Sequence, residues 1–474
     1  MIGSRLSDRG PKINCEKGTA VPTASVQIAR PATTPLNGDI SVPGDKSISH
    51  RALIFAALCV GESTIHGLLE GEDVLATAQA LRAYGADIQR GDDGIWRVHG
   101  VGVGGLMAPG DILDMGNSGT GARLLLGLAA SHGVTSVFTG DASLRQRPMQ
   151  RVMTPLQQMG AQFDAADGGR LPVTVRGRNT LMPITYELPV ASAQIKSAVL
   201  LAGLNTPGRT TIIEPRPTRD HTEHLLRHFG AEVVVHDEAD AAAENGGRRH
   251  ISLTGRPELQ PQTVHVPGDP SSAAFPIAAA LLVPGSHLTL QNVGLNPLRA
   301  ALLDTLREMG ADIGESNRRE VQGEPIADLV VRAGPLKGIE VSPQRAPAMI
   351  DEYPILAAIA AFATGKTIMR GIGELRVKES DRIAAMVAGL RAMGVAVEEL
   401  EDGLIVQGHG GPAPAQPDAR IATEMDHRIA MSFLVYGLGA RAPVTVLGCE
   451  MIETSFPGFA DLMNGLGGRI EAAS

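Results

Sequence analysis

The chain has 474 residues, 43% hydrophobic and 20% charged, enough to bury the cores of two or three domains and too apolar to be disordered. A net charge of -9 and an aromatic content of 3% argue against a nucleic-acid surface, so any anionic ligand must be held by a local cluster of cations. Three cysteines, Cys15, Cys59 and Cys449, are too few and too scattered for a disulfide framework or a thiolate metal site and fit a reducing cytoplasm.

The first ~22 residues show no periodicity and read as a loose extension, without the apolar region of a signal peptide. The longest apolar runs, such as "AFPIAAALLV", reach about half of the ~20 residues that span a bilayer. From "VPGDKSISHR" at 42–51 onward, two helix types alternate. "ALIFAALCV", "RLLLGLAA", "SAVLLAGL", "AAFPIAAALLV", "ILAAIAAFA" and "IAMSFLVYGLG" are apolar nearly all round, which requires burial on every side. Between them lie amphipathic stretches that end alike: "YGADI", "MGAQF", "FGAEV", "MGADI", "MGVAV" and "LGGRI". Their glycines, Gly85, Gly160, Gly230, Gly310, Gly394 and Gly467, recur every 70 to 84 residues, and each reads as the glycine that stops a helix before a short strand. Six similar α/β units follow, grouped as two compact globules of three. "VPGD" occurs at 42–45 and again at 266–269. If the chain enters one globule at the first copy and leaves it at the second, residues 46–265 form one domain, and 1–45 with 266–474 form the other, joined by a two-stranded hinge.

The most polar segments stand just before the buried helices: "PGDKSISHR", "GNSGTGAR", "PVASAQIK", "PGDPSS", "PAMIDEYP" and "EMDHR". Ser47, Asn117, Ser192, Ser271 and Asp351 read as N-caps there. Capping does not explain the neighbouring cations Lys46, Arg51, Arg147, Arg219, Lys378, Arg382 and Arg428, since a positive charge beside a helix N-terminus is unfavourable unless an anion joins it. Two carboxylates stand out: Asp351 before Pro354, and Glu379 between Lys378 and Arg382 in "RVKESDR". Each is a proton-transfer candidate held among cations. His50 and His427 are weaker candidates, and no metal-ligand spacing is present.

"PGDKSISHRAL", "GNSGT", "RPM" with Arg147, "ASAQIKSAVLLAGLNTPG", "RPTRDHTE", "RVKESDR" and "DHRIAMSF", in that order, resemble the motifs of the 5-enolpyruvylshikimate-3-phosphate synthase family, and of its second class in particular. The resemblance implies an inside-out α/β barrel fold of six βαβαββ units in two three-unit globules. It implies transfer of the enolpyruvyl group of phosphoenolpyruvate to shikimate 3-phosphate on the way to chorismate and the aromatic amino acids, by a cytoplasmic monomer that needs no cofactor or metal and is a target of glyphosate. By motif, Lys46, Ser47, Arg51, Ser192, Ala193, Gln194 and Arg219 are expected to hold shikimate 3-phosphate, with Asp351 and Lys378 reaching it from the other globule. Lys46, Gly119, Arg147, Gln194, Arg382 and Arg428 are expected around phosphoenolpyruvate. Asp351 matches the base, Glu379 the acid, and Lys46 takes part in the chemistry. Two departures stand out: Thr454 replaces a lysine of many members, and Ala193 replaces a serine of the first class. The alternative is the sister enolpyruvyl transferase acting on UDP-N-acetylglucosamine, whose loop cysteine has no counterpart between "GNSGT" and "RPM".

Overall fold

The computed structural model describes residues 25–238 and 247–473; the expected N-terminal extension and Cys15 lie outside them. The six apolar runs form the helices Lys46–Ala57, Gly119–Ala130, Ala193–Leu204, Pro270–Leu282, Tyr353–Ala360 and His427–Gly439. Most of their residues are buried, as sequences without a polar face require.

The six repeated endings share one geometry. Gly85, Gly160, Gly230, Gly310, Gly394 and Gly467 all take φ between +87° and +105°, a left-handed conformation that a residue with a Cβ adopts only with strain. At each, the glycine N–H returns to the carbonyl three residues back, and the next N–H bonds five back, as in Gly85 to Arg82 and Ala86 to Leu81. This double closure satisfies the last carbonyls of the helix and turns the chain into the following strand.

The described residues form six four-stranded sheets of one pattern: a first strand parallel to the second, then two antiparallel strands. Two exchanges make the pattern complete. Asn37–Ser41, which leads into the first "VPGD", pairs in parallel with His287–Gly294, whereas Thr263–His265, which leads into the second, pairs in parallel with Val60–His66. The sixth sheet takes its central strand from the other end of the chain: Val26–Ala29 inserts between Val444–Leu447 and Ile470–Ala472. Buried apolar side chains accordingly form two clusters, one from Ile48 to Val264 and one joining Ala29, Leu36 and Val42 to Ala273 through Ile470.

The two "VPGD" copies clasp each other. Gly44 and Gly268 form an antiparallel bridge, with Asp45 N–H donating to the Pro267 carbonyl at 2.8 Å and Asp269 N–H to Pro43 at 2.9 Å. A Cβ on Gly44 would lie 2.0 Å from the Gly67 carbonyl oxygen, so only glycine fits. Here the capping expectation needs correction. Asp45 and Asp269 cap the helices that follow, which places Ser47 and Ser271 inside the first turn. Ser118, not Asn117, caps Gly119–Ala130, while Ser192 caps as expected. Asp351 caps nothing; it sits in the short turn Ile350–Glu352, which leaves its carboxylate free for side-chain partners.

The buried helices pack closely enough to restrict side-chain size. A Cβ on Gly127 would stand 2.2 Å from the Ala198 carbonyl oxygen of the adjoining helix. Gly127→Ala is therefore expected to destabilise the protein by ~1–3 kcal/mol in urea unfolding, as overpacking does. An unchanged midpoint would mean that the two helices can separate freely.

Candidate active site

The clasp sets the starts of the buried helices around one cleft with two connected lobes. The larger lobe, about 440 Å³, is lined by Ser47, Arg51, Ser192, Ala193, Gln194 and Arg219, with Lys378 from the other side. The second, about 290 Å³, adds Lys46, Gly119, Arg147, Asp351, Glu379 and Arg428. The structure thus gathers nearly all of the singled-out residues in one place. Arg382 is the exception: it lines neither lobe, and its side chain is 1% exposed.

In the larger lobe, Arg51 is fixed from three sides. Its Nε donates to Thr222 Oγ1 at 2.6 Å, and its Nη atoms to the Ser47 carbonyl at 2.9 Å and to Ser197 Oγ at 2.7 Å. Gln194, in the first turn of its helix, donates to Thr120 at 3.0 Å and accepts from Arg123 at 3.1 Å. Arg219 crosses the cleft to Asp351 Oδ2 at 3.0 Å.

Most cations of the second lobe meet an anion or a carbonyl of the chain. Lys46 Nζ lies 2.9 Å from Asp73. Arg147 donates to Asn117 Oδ1 at 2.7 Å and approaches Glu379 at 3.7 Å. Arg428 donates to the Asp351 carbonyl at 3.0 Å, and Lys378 pairs with Glu374 at 3.0 Å. Behind them, Arg382 is shared by three carboxylates: Asp426 at 2.8 Å, Asp351 at 3.3 Å, and Glu379. Carboxylates of the chain already meet Lys46, Arg147, Arg219, Lys378, Arg382 and Arg428, whereas Arg51 meets only hydroxyls and a carbonyl. The halves of the cleft attract across the Arg219–Asp351 and Arg147–Glu379 pairs.

This charge arrangement sets the protonation states. Burial alone would raise the Asp351 carboxyl, but Arg428, Lys378, Arg219 and Arg382 hold it well below the usual carboxylate range. Burial is likewise outweighed at Glu379, by Arg382 and Arg147. His427 is pushed down to about 3 by burial and by Lys46, and burial holds His50 low as well, so both are neutral at pH 7. Burial raises the Cys59 and Cys449 thiols to about 12, which removes them as acids or nucleophiles. Thr454 is 5% exposed, donates to the Met451 carbonyl at 2.7 Å and lines neither lobe; nothing of the missing lysine's contact comes from this position.

Several cleft residues escaped the sequence reading. Asp426 caps His427–Gly439 and neutralises Arg382; it stood in the quoted "EMDHR", where the histidine and the arginine drew notice instead. Arg123 lies four residues after Gly119, one helical turn along the same face, and donates to the Gly119 carbonyl at 3.2 Å. Asp73, Arg299 and Glu352 carry no local signal, since their partners Lys46, Asp269 and Arg428 are remote in sequence.

The family model for EPSP synthase (3-phosphoshikimate 1-carboxyvinyltransferase) matches residues 31–463. The chain belongs to the EPSP synthase family. Relatives named 3-phosphoshikimate 1-carboxyvinyltransferase include one from Paramagnetospirillum magneticum, 63% identical over 92% of this chain and 96% of its own. Another, from Parvibaculum lavamentivorans, is 61% identical over 94% and 97%. The solved EPSP synthase of Acinetobacter baumannii superposes with a TM-score of 0.83 at 44% identity, over 95% of this chain and 100% of that one. The enolpyruvyl transferase NikO of Streptomyces tendae, at 18% identity and a TM-score of 0.74, shares the fold. The two-globule architecture described above is therefore that of the EPSP synthases.

Asp351, Glu379 and Asp426 all sit below their unfolded values. The stability they contribute is fully present above the unfolded carboxylate range near pH ~4 and is lost as pH falls through the folded values. The melting temperature is expected to drop steeply below about pH 4. Asp426→Ala, which removes both a helix cap and a charged partner of buried Arg382, is expected to cost about 2–5 kcal/mol at neutral pH in urea unfolding. A variant as stable as the parent would show that Arg382 does not depend on this carboxylate.

Proposed function

We propose that this chain transfers the enolpyruvyl group of phosphoenolpyruvate to the 5-hydroxyl of shikimate 3-phosphate and releases phosphate. The observation that carries the reading is the cleft itself, where two carboxylates lie among cations drawn from both globules. Each substrate brings a phosphate and a carboxylate, which suits such a lining. Ser47, Arg51, Ser192, Ala193, Gln194 and Arg219 would hold shikimate 3-phosphate in the larger lobe, with Asp351 and Lys378 facing it. Lys46, Gly119, Arg147, Gln194 and Arg428 would meet phosphoenolpyruvate in the second. Arg382 joins them only when Glu379 or Asp351 yields part of its guanidinium to the incoming anion.

Asp351, kept ionised by its neighbours, takes the proton of the attacking hydroxyl. Glu379 must first gain a proton. Phosphoenolpyruvate favours that step, because its negative charge competes for Arg147 and Arg382 and weakens what holds Glu379 ionised. Protonated Glu379 then donates to the methylene carbon as the hydroxyl oxygen bonds to C2, giving a tetrahedral intermediate. Phosphate leaves as Glu379 recovers a proton from the new methyl group. Lys46, in the second lobe, counters charge on the departing phosphate.

The reading includes a cytoplasmic location, supported by two buried free thiols, and a monomer, because a single chain supplies every proposed ligand. No helix among the described residues is long and apolar enough to cross a membrane. It also divides the domains at the paired "VPGD" segments, residues 46–265 against 1–45 and 266–474, a division supported by the two separate apolar cores.

Phosphate release from phosphoenolpyruvate, with and without shikimate 3-phosphate, tests the function; release that does not depend on this acceptor would overturn it. Asp351→Asn and Glu379→Gln are each expected to lower turnover by at least ~10²-fold, since each removes a proton-transfer group at constant volume. Parental turnover in either would refute its assigned role.

Glyphosate, as a ligand of the phosphoenolpyruvate lobe, gives a further check. A Cβ on Gly119 would lie 3.0 Å from Arg123 Nη1 and 3.1 Å from Arg147 Nη1, so a methyl displaces two guanidinium groups and leaves the backbone in place. Gly119→Ala is expected to raise the inhibition constant of glyphosate by more than the KM of phosphoenolpyruvate, because the longer ligand has less room to shift. An unchanged ratio of the two constants would place Gly119 outside the shared pocket.

A further inference from the structure

The segment that carries Arg219 into the cleft continues into the helix His221–His228, whose first turn meets the opposite globule. His221 Nδ1 lies 2.7 Å from Glu324 Oε1. Asn296 donates both to Asp220 Oδ1 at 2.7 Å and to Glu324 Oε2 at 2.9 Å. His224 Nε2 stands 3.3 Å from Asp220 Oδ2, and Gln322 donates across the same boundary to the Thr263 carbonyl at 3.0 Å. The fit is close, for a Cβ on Gly323 would come within 2.3 Å of His224 Nδ1. Asp220, His224 and Glu324 could hold a metal ion by spacing alone, but three of the four carboxylate oxygens already receive hydrogen bonds from His221 or Asn296 and the fourth lies 3.3 Å from His224 Nε2. The group is complete as a polar clasp between the globules. The His221 side chain is 2% and that of Glu324 6% exposed, and His221 also borders the larger lobe beside Arg219. No step of the transfer uses any of these residues.

We propose that His221 and Glu324 are positioning residues for acceptor binding: their hydrogen bond across the cleft, bridged by Asn296, holds the Arg219 segment in the closed arrangement in which Arg219 reaches Asp351. A hydrogen bond to a charged group that is desolvated on both sides is among the stronger ones. Forming this one with closure favours the state in which both halves grip the acceptor. Without it, part of the binding energy of the acceptor is spent on closing the cleft, which weakens apparent affinity and leaves the saturated complex unchanged.

The inference rests on the proposed function, and the test separates the two. His221→Ala, Glu324→Ala, the double variant and Glu324→Gln are assayed for phosphate release. Each alanine variant is expected to raise the KM for shikimate 3-phosphate by about tenfold or more, with kcat at saturation of both substrates within about twofold of the parent. The double variant is expected to match the worse single one, since either substitution alone opens the same clasp. Glu324→Gln, which keeps an acceptor for Nδ1–H but turns a donor toward Asn296, is expected to raise the KM less than Glu324→Ala does. Asn296→Ala, which removes only the bridge, carries the same expectation if alanine at 221 or 324 prevents folding. An unchanged KM, multiplicative effects in the double variant, or a fall in kcat alone would overturn the positioning role. A parent protein inactive with shikimate 3-phosphate would instead overturn the proposed function.

Discussion

A guanidinium group with 1% of its side chain exposed can stay charged in a protein only if anions replace the water it has lost. Arg382 meets that requirement with Asp426, Glu379 and Asp351, and much of the cleft follows from it. The three carboxylates must come from separate segments, so the starts of Arg382–Ala392 and His427–Gly439 and the turn Ile350–Glu352 have to converge. Because they serve Arg382, two of them arrive in the cleft ionised. One is suited to accept a proton as it stands; the other becomes an acid only after a ligand competes for its cations. The same constraint therefore shapes the fold and orders the chemistry.

The repeats supply the convergence. Each unit ends its amphipathic helix on a left-handed glycine and begins its buried helix with unpaired N–H groups turned to one side. The strands before the two "VPGD" segments and the insertion of Val26–Ala29 complete sheets within each globule, and the Gly44–Gly268 bridge ties the globules together at the crossing. Across the cleft itself, opposite charges face each other at Arg219–Asp351 and at Arg147–Glu379, and His221 meets Glu324 in a hydrogen bond. A cleft lined with cations would otherwise be expected to spring open; here the carboxylates interleaved among them reverse the sign of the force.

What could be read from the sequence was what is encoded locally. The glycine after each amphipathic helix is a backbone requirement of a single residue, so all six were visible, as was the burial of helices that have no polar face. Caps were misplaced where two polar residues compete within one turn. Asp45 precedes Ser47, and Ser118 follows Asn117; the choice depends on which backbone torsion the incoming chain adopts. The cations were visible because they cluster beside helix starts. Their partners were not, since Asp73 and Glu352 lie 27 or more residues from the groups they neutralise, and only the closed fold brings them together. Arg382 was legible as a cleft residue, but its burial behind Glu379 was not.

The central claim is that phosphoenolpyruvate makes Glu379 an acid by drawing its cations away. Calorimetric titration of the ligand into the protein without acceptor, in buffers of differing protonation enthalpy, counts the protons that enter on binding. The account predicts proton uptake near neutral pH by the parent protein beyond that of Glu379→Gln, because the charge of the ligand itself is common to both. Equal uptake by the two proteins would contradict it, for Glu379 would then remain a carboxylate in the complex and could not protonate the methylene carbon.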